Sequence, residues 1–234
     1  MKRRQTDEYE MDEPAIDIAS YIDHTVLSPT ATDRDMARGC ELARQFGTAA
    51  VFVKPHFAIE AGRMLAGSRV KLGVPVGFPQ GQSLPRVKAA EAEAAIDMGA
   101  GEIDMVVNIG KVLDEDWRYV SEDIAAVAEV VHAQNMVIKV IFETCYLADS
   151  HKIRLCEICE DIGVDFAKTS TGMGTGGATP ADVALMLGNL RRVKVKAAGG
   201  IRTRAQALEM LRLGAARIGT SSTTQILTDI QRGP

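Results

Sequence analysis

No apolar run in this chain of 234 residues approaches the roughly 18 consecutive residues that a membrane-spanning helix needs. Positive charge is not in excess either: 27 Lys and Arg stand against 31 Asp and Glu, a net charge of −4. That balance argues against a nucleic-acid or anionic-membrane surface, so any anionic ligand has to be held by a local device. The segment Met1–Glu13 is charged and lacks the apolar core of a signal peptide. It is expected to be a disordered or helical tail ahead of a single domain spanning residues 14–234, in a cytoplasmic protein. Cysteine is scarce, and four residues do not make a disulfide framework. Cys156 and Cys159 have the spacing of a metal or redox pair, but no second pair follows. Both fall in the helical pattern Ile153, Cys156, Ile158, Cys159, Ile162, which reads as buried helix cysteines.

What is present is the composition of an ordinary globular domain, 46% hydrophobic and 25% charged. Short β-rich runs are expected over 22–27, 49–53, 70–76, 103–107, 136–141, 164–168, 193–197 and 216–219. Between them lie helical patterns over 36–46, 56–65, 84–98, 114–133, 150–162, from 178 onward, 204–213 and 222–231. A short apolar helical turn at Ile16–Tyr21 precedes the first strand. Thr179 followed by Pro180 is a cap with proline at the first helical position, and Gly47, Gly99 and Gly163 close helices. Strict alternation of strand and helix predicts a parallel sheet, and eight units in this length fit a closed α/β barrel, the (β/α)8 or TIM barrel. An open doubly wound sheet is the alternative that alternation alone leaves standing.

In such a barrel the C-terminal strand ends carry the site. Asp23, Asp104, Lys139, Glu143, Lys168 and Lys196 are the polar residues near those ends. If Lys168 points inward so does Phe166, and Ala167 meets the helices; Lys196 inward leaves Val195 and Ala197 outside, and Asp104 inward leaves Ile103 and Met105 outside. Each apolar neighbour thus falls on the face that needs it. For Lys139 with Glu102 or Glu143 a purely structural salt-bridge lattice is an equal reading. Lys168 and Lys196 are different, because each is followed directly by a glycine-rich segment. Two ammonium groups held close depress each other's pKa, and a lysine brought towards neutrality becomes a nucleophile for carbonyl carbon. Asp104 is placed to relay protons, directly or through a water molecule.

The glycines point to phosphate. Gly172, then Gly199 and Gly200, then Gly219 with Ser221 and Ser222 follow the last three strands, where barrels commonly build phosphate sites. Ser221 and Ser222 are expected to offer a free N–H and hydroxyls. Gly172, Gly174 and Gly177 also match the dinucleotide fingerprint, but no acid stands about 20 positions on, where the ribose would need one. The motif also lies late in the chain, and the nucleotide reading is rejected.

These residues sit in seven ordered motifs: Ile22-Asp-His-Thr-Val-Leu27, Val76-Gly-Phe-Pro79, Glu102-Ile-Asp-Met-Val-Val-Asn108, Lys139 to Thr144, Lys168-Thr-Ser-Thr-Gly172, Lys196-Ala-Ala-Gly-Gly-Ile-Arg202 and Arg217-Ile-Gly-Thr-Ser-Ser222. Together they resemble the deoxyribose-phosphate aldolase family, class I (Schiff-base) aldolases on a TIM barrel. The resemblance implies reversible cleavage of 2-deoxy-D-ribose 5-phosphate to D-glyceraldehyde 3-phosphate and acetaldehyde. It implies Lys168 as the Schiff-base lysine, Lys196 depressing its pKa and assisting proton transfer, and Asp104 as proton shuttle, with Lys139 in support. Asp23 and Thr25 would lie near the substrate, and Thr171, Gly172, Gly199, Gly200, Gly219, Ser221 and Ser222 would bind substrate and phosphate. No metal or other cofactor is implied, since the iminium is the electron sink; a homodimer or homotetramer is. Many relatives carry lysine where Ser28 stands, and often cysteine at Phe52 and asparagine at Lys54. The altered Phe52 and Lys54 motivate a second reading, a Schiff-base aldolase for a different phosphorylated carbonyl compound. A barrel that only senses a phosphorylated ligand is a third, which would need none of Lys168, Lys196 and Asp104.

Overall fold

The computed structural model describes residues 16–228. Eight strands, β1 (Ile22–Val26), β2 (Ala50–Val53), β3 (Lys71–Val76), β4 (Glu102–Val106), β5 (Val137–Ile141), β6 (Phe166–Lys168), β7 (Lys194–Ala198) and β8 (Arg217–Thr220), pair in parallel and in chain order. β8 pairs back onto β1, with Asp23 opposite Gly219, so the sheet closes into a (β/α)8 barrel. The open-sheet alternative is thereby excluded. The helices are α1 (Asp33–Phe46), α2 (Ala58–Leu65), α3 (Pro85–Asp97), α4 (Ile109–Leu113), α5 (Trp117–Ala133), α6 (Asp149–Ile162), α7 (Pro180–Asn189), α8 (Arg204–Leu213) and α9 (Thr223–Thr228). The expected turn before the first strand is a 3-10 helix, Ile18–Tyr21. The charged tail and the last residues of the final expected helix lie outside the described residues.

Local chemistry sets the helix limits. Thr32 accepts from the Asp35 amide while the Asp35 carboxylate answers the Thr32 amide, and Gly47 ends α1 in the left-handed conformation. Thr179 caps α7 ahead of Pro180, as the sequence predicts. One boundary shifts. The helix predicted over 114–133 is α5 and starts only at Trp117, because a short α4 capped by Asn108 precedes it and Glu115 turns the chain at φ 54°. Asp116 then accepts from the Tyr119 amide and starts α5. The 114–116 acidic run reads as helical surface, whereas its last member is a cap.

Strand parity divides the core into two unlike parts. Outward residues, including Val51, Val74, Ile103, Met105, Ile138, Val140, Ala167, Val195, Ala197 and Ile218, are buried in the large apolar layer with the helices. The inward apolar cluster is small: Leu27, Ala50 and Phe52, with Phe78 packed against it. Phe166 apart, much of the rest of the interior is charged, and it fits because some strand positions have little or no side chain. A Cβ on Gly73 would stand 2.3 Å from the Phe52 ring, and one on Gly219 would stand 2.7 Å from the Ala198 Cβ and 3.2 Å from the Lys196 Cε. Glycine on β3 thus makes room for the aromatic ring in the barrel's centre, and glycine on β8 makes room for a lysine.

Gly73→Ala should therefore lower stability by ~1–3 kcal/mol, the usual cost of overpacking a core. Urea unfolding measures it; an unchanged midpoint would show that the Phe52 ring has other room to occupy.

Candidate active site

The interior charges form one connected network. Asp104 Oδ2 accepts from Lys168 Nζ and from Lys196 Nζ, each at 2.7 Å. Its Oδ1 accepts from Lys139 Nζ at 3.1 Å, and Lys139 also donates to Glu102 Oε2 at 2.5 Å. Asp23 Oδ2 lies 2.5 Å from Lys196 Nζ, while its Oδ1 accepts from Arg217 Nη1 at 2.6 Å. Beneath these groups the Phe52 ring presents its π-system, with Lys196 Nζ 4.1 Å and Lys139 Nζ 4.4 Å from its centroid. The register explains the assembly: Asp104 lies opposite Lys139 on β5, Lys168 opposite Lys196 on β7, and Lys196 opposite Arg217 on β8.

The electrostatics follow from burial and neighbours. Burial alone would raise the Asp104 and Asp23 carboxyls. Lys139, Lys168 and Lys196 around Asp104, and Lys196, Lys139 and Arg217 around Asp23, outweigh it and hold both below the usual carboxylate range. Burial would lower Lys139, but Asp104, Asp23 and Glu102 outweigh it and keep that ammonium firmly charged. Lys168 goes the other way. Burial first, then Lys196 and Lys139, outweigh the pull of Asp104 and bring its pKa down to about 8. The sequence argument assigned this depression to Lys196; the larger cause is desolvation.

Above Lys168 opens a cavity of about 520 Å³ at the C-terminal strand ends. Thr25, Thr171, Gly172, Gly199, Gly200, Gly219 and Ser221 all line it, together with Lys168. Gly172, Gly199 and Gly200 have φ of 83°, 91° and 78°, the left-handed region that glycine adopts freely. Among the described residues the amides of Gly172, Gly200 and Ser221 have no backbone or side-chain acceptor, which leaves them for a ligand. Thr171 is fixed from behind by Glu143, whose carboxylate accepts from its amide at 3.2 Å and from its hydroxyl. α7 begins only at Pro180, so Gly172 does not open a helix as a dinucleotide loop would.

Two expected positions are corrected. Asp23 is completely buried below the cavity, engaged with Lys196 and Arg217, and does not line it. Ser222 also lies off the wall, and its amide is not free, because it donates to the Thr220 hydroxyl at 2.9 Å. Lys139 pairs with Glu102 and Asp104 rather than with Glu143. Phe52 and Lys54 are not on the cavity wall either. The Lys54 ammonium donates to the carbonyls of Ala31 at 2.7 Å and Pro29 at 3.3 Å, pinning the rim loop that carries Ser28. Sequence reasoning missed Arg202, which joins the cavity lining, and Arg217 inside the barrel. A cation two residues beyond the Gly199-Gly200 pair was the available signal for the first, and inward parity with Gly219 for the second.

Cys156 and Cys159 are buried on α6, and burial pushes the Cys156 thiol up to about 12. Among the described residues no group of three or more His, Cys, Asp or Glu side chains is arranged to hold a metal ion, and no helix is long and apolar enough to cross a membrane.

A parallel (β/α)8 barrel with a lysine brought near neutrality at the floor of a polar cavity belongs to the class of enzymes that act on carbonyl compounds through an amine. Sequence comparison makes the family specific. The DeoC/LacD family aldolases match residues 18–224, and the chain belongs to that family. It is 47% identical over 217 residues to deoxyribose-phosphate aldolase of Rhodopirellula baltica, covering 92% of this chain and 90% of the relative. It is 48% identical to the Thermococcus gammatolerans deoxyribose-phosphate aldolase, covering 91% and 96%. The tetrameric deoxyribose phosphate aldolase of Aeropyrum pernix superposes with a TM-score of 0.85 at 31% identity, covering 92% of this chain and 91% of that one. The chain is accordingly an aldolase, a carbon–carbon lyase.

The amine's titration is directly testable. Because the folded pKa of Lys168 is about 8, below an ordinary lysine, its labelling by trinitrobenzenesulfonate should rise with pH and level off above that value. Lys196→Met removes a group that lowers this pKa, so the midpoint should move up; Asp104→Asn removes one that raises it, so the midpoint should move down. Peptide mapping of the labelled lysine gives the midpoints, and shifts of the opposite sign would overturn the charge assignment.

Proposed function

We propose that this aldolase reversibly cleaves 2-deoxy-D-ribose 5-phosphate to D-glyceraldehyde 3-phosphate and acetaldehyde, with Lys168 as the Schiff-base amine. The observation that carries the reading is the Lys168 amine, with a pKa of about 8, at the floor of a cavity rimmed by glycine amides and Arg202. The substrate is that of the relatives matched above.

In the proposed sequence the neutral Lys168 Nζ adds to the sugar's C1 carbonyl carbon, and loss of water gives a protonated imine. The C2–C3 bond then breaks as the C3 hydroxyl gives up its proton, and the electron pair flows into the iminium. Glyceraldehyde 3-phosphate leaves; the enamine takes a proton at C2, and water hydrolyses the imine to release acetaldehyde and restore the amine. Asp104 Oδ2, 2.7 Å from both Lys168 Nζ and Lys196 Nζ, passes protons with Lys196, and the Lys196 charge helps keep the Lys168 amine free. Thr25, Thr171 and Gly172 would contact the sugar, and the free amides of Gly200 and Ser221 with Arg202 would hold the phosphate, Gly199 and Gly219 letting it approach closely. Asp23, Lys139 and Ser222 act from outside the cavity by fixing the network and the β8 loop.

Neither Phe52 nor Lys54 touches the cavity, which supports the deoxyribose 5-phosphate reading over a different carbonyl substrate; of the three departures only Ser28 lines it. A binding-only barrel is disfavoured because phosphate recognition alone requires no neutral lysine. A homo-oligomer, dimer or tetramer, is proposed on the tetrameric relative.

Borohydride reduction with acetaldehyde should leave one two-carbon adduct, on Lys168, in the wild type and none in Lys168→Met. A folded wild type without that adduct, or one that traps acetaldehyde but does not turn over deoxyribose 5-phosphate, would sink the mechanism or the substrate respectively.

Arg202→Ala should raise KM for deoxyribose 5-phosphate by about tenfold to a hundredfold, the loss of a charge-assisted hydrogen bond. Turnover of unphosphorylated deoxyribose should stay the same. Equal losses on both substrates would remove Arg202 from the phosphate site.

A further inference from the structure

A second cavity, of about 420 Å³, opens among the starts of β5 to β8, at the mouth of the barrel opposite the site just described. Its lining includes Arg192, Lys194 and Arg217, against a single acid, Asp165. The Asp165 carboxylate is already engaged: its Oδ2 accepts from the Ile138 amide at 2.9 Å and lies 3.1 Å from His132 Nε2. Arg192 is partly committed to Glu160, with Nη2 donating to that residue's carbonyl at 2.9 Å. Lys194 has no carboxylate partner among the described residues; its ammonium lies 5.7 Å from the Phe166 ring centroid. The Arg217 guanidinium packs over the same ring at 5.4 Å.

Arg217 is the informative group. Its side chain is only 16% exposed, yet of its nitrogens only Nη1 has protein acceptors among the described residues, Asp23 and Glu102. Guanidinium carries five N–H donors in a planar fork, so Nε and Nη2 are left without a protein acceptor. A mostly buried cation with unused donors on a cavity wall, beside an unpaired lysine and in a protein of net negative charge, is suited to take an anion.

We propose that this mouth of the barrel is a binding site for a small oxyanion of the phosphate class, held by Arg217 and Lys194. The site is coupled to the reactive lysine by an unbroken chain of charged contacts. Arg217 meets Asp23 at 2.6 Å, Asp23 meets Lys196 at 2.5 Å, Lys196 meets Asp104 at 2.7 Å, and Asp104 meets Lys168 at 2.7 Å. An anion on the outer nitrogens of Arg217 weakens the positive field on Asp23 and so alters how Asp23 shares Lys196 with Asp104. The consequence is regulation from the far end of the barrel, independent of the aldehyde the enzyme prefers.

Calorimetric titration of the full chain with inorganic phosphate tests it. The wild type should bind two phosphates per chain, one at each mouth. Lys194→Ala, which removes the unpaired ammonium at the start of β7 without placing a carboxylate beside Arg217, should weaken one site by about tenfold or more. Ser221→Asp should lose the other site, and the double variant both. A single phosphate on the wild type, or two with unchanged affinity on a folded Lys194→Ala, would overturn the proposal.

Discussion

One carboxylate oxygen, Asp104 Oδ2, is shared at 2.7 Å by two lysines, and the chemistry of the barrel depends on that sharing. The interior holds four basic groups, Lys139, Lys168, Lys196 and Arg217, against three acids, Asp23, Glu102 and Asp104. Burying an uncompensated charge costs several kcal/mol even after relaxation, so the fourth positive charge is the one the interior can least support. Lys139, in contact with all three carboxylates, keeps its proton. Lys168, whose only carboxylate partner among the described residues is the shared Asp104, is the basic group pushed towards neutrality. It is also the lysine of the network that reaches the cavity. The position with the weakest compensation is therefore the position open to a carbonyl compound.

Such an interior is tolerable because the apolar work is done elsewhere. The layer between strands and helices supplies most of the buried hydrocarbon, and that leaves the lumen free for polar groups. Within the lumen Phe52 takes the place of a bulk apolar filling. Its ring contacts Lys139 and Lys196 by its π-face, so it excludes water without opposing the ammonium groups. Gly73 and Gly219 give the space. Packing and electrostatics are thus one requirement, set by what stands on neighbouring strands.

Much of this was legible in the sequence because strands have a period of two. Once Lys168, Lys196 and Asp104 are placed inward, their neighbours Ala167, Val195, Ala197, Ile103 and Met105 must face the helices, and they do. Lengths and caps made the barrel legible in the same way. What was not legible is pairwise and three-dimensional. Sequence does not say that burial outweighs Lys196 in setting the Lys168 pKa, since solvent access is a property of the closed lumen. Nor does it say that Thr220 takes the Ser222 amide, or that Lys54 turns to the Pro29 and Ala31 carbonyls instead of the ligand. The break at Glu115 was hidden because acids serve equally as helix surface and as caps.

The placing of the phosphate donors follows from the same charge balance. A phosphate dianion close to Lys168 would favour its protonated form and cancel the effect of burial just when the substrate arrives. In the proposed reading the anion is met at the rim by neutral glycine and serine amides and by Arg202, whose positive charge offsets part of it. The more of the phosphate charge these donors neutralise, the less reaches the amine. A rim of glycines is then more than a close fit to an anion: backbone amides satisfy its oxygens without placing another titrating lysine beside Asp104. Recognition and reactivity can coexist in one small cavity because the donors for the anion are fixed dipoles, and the mobile proton stays with the lysines below.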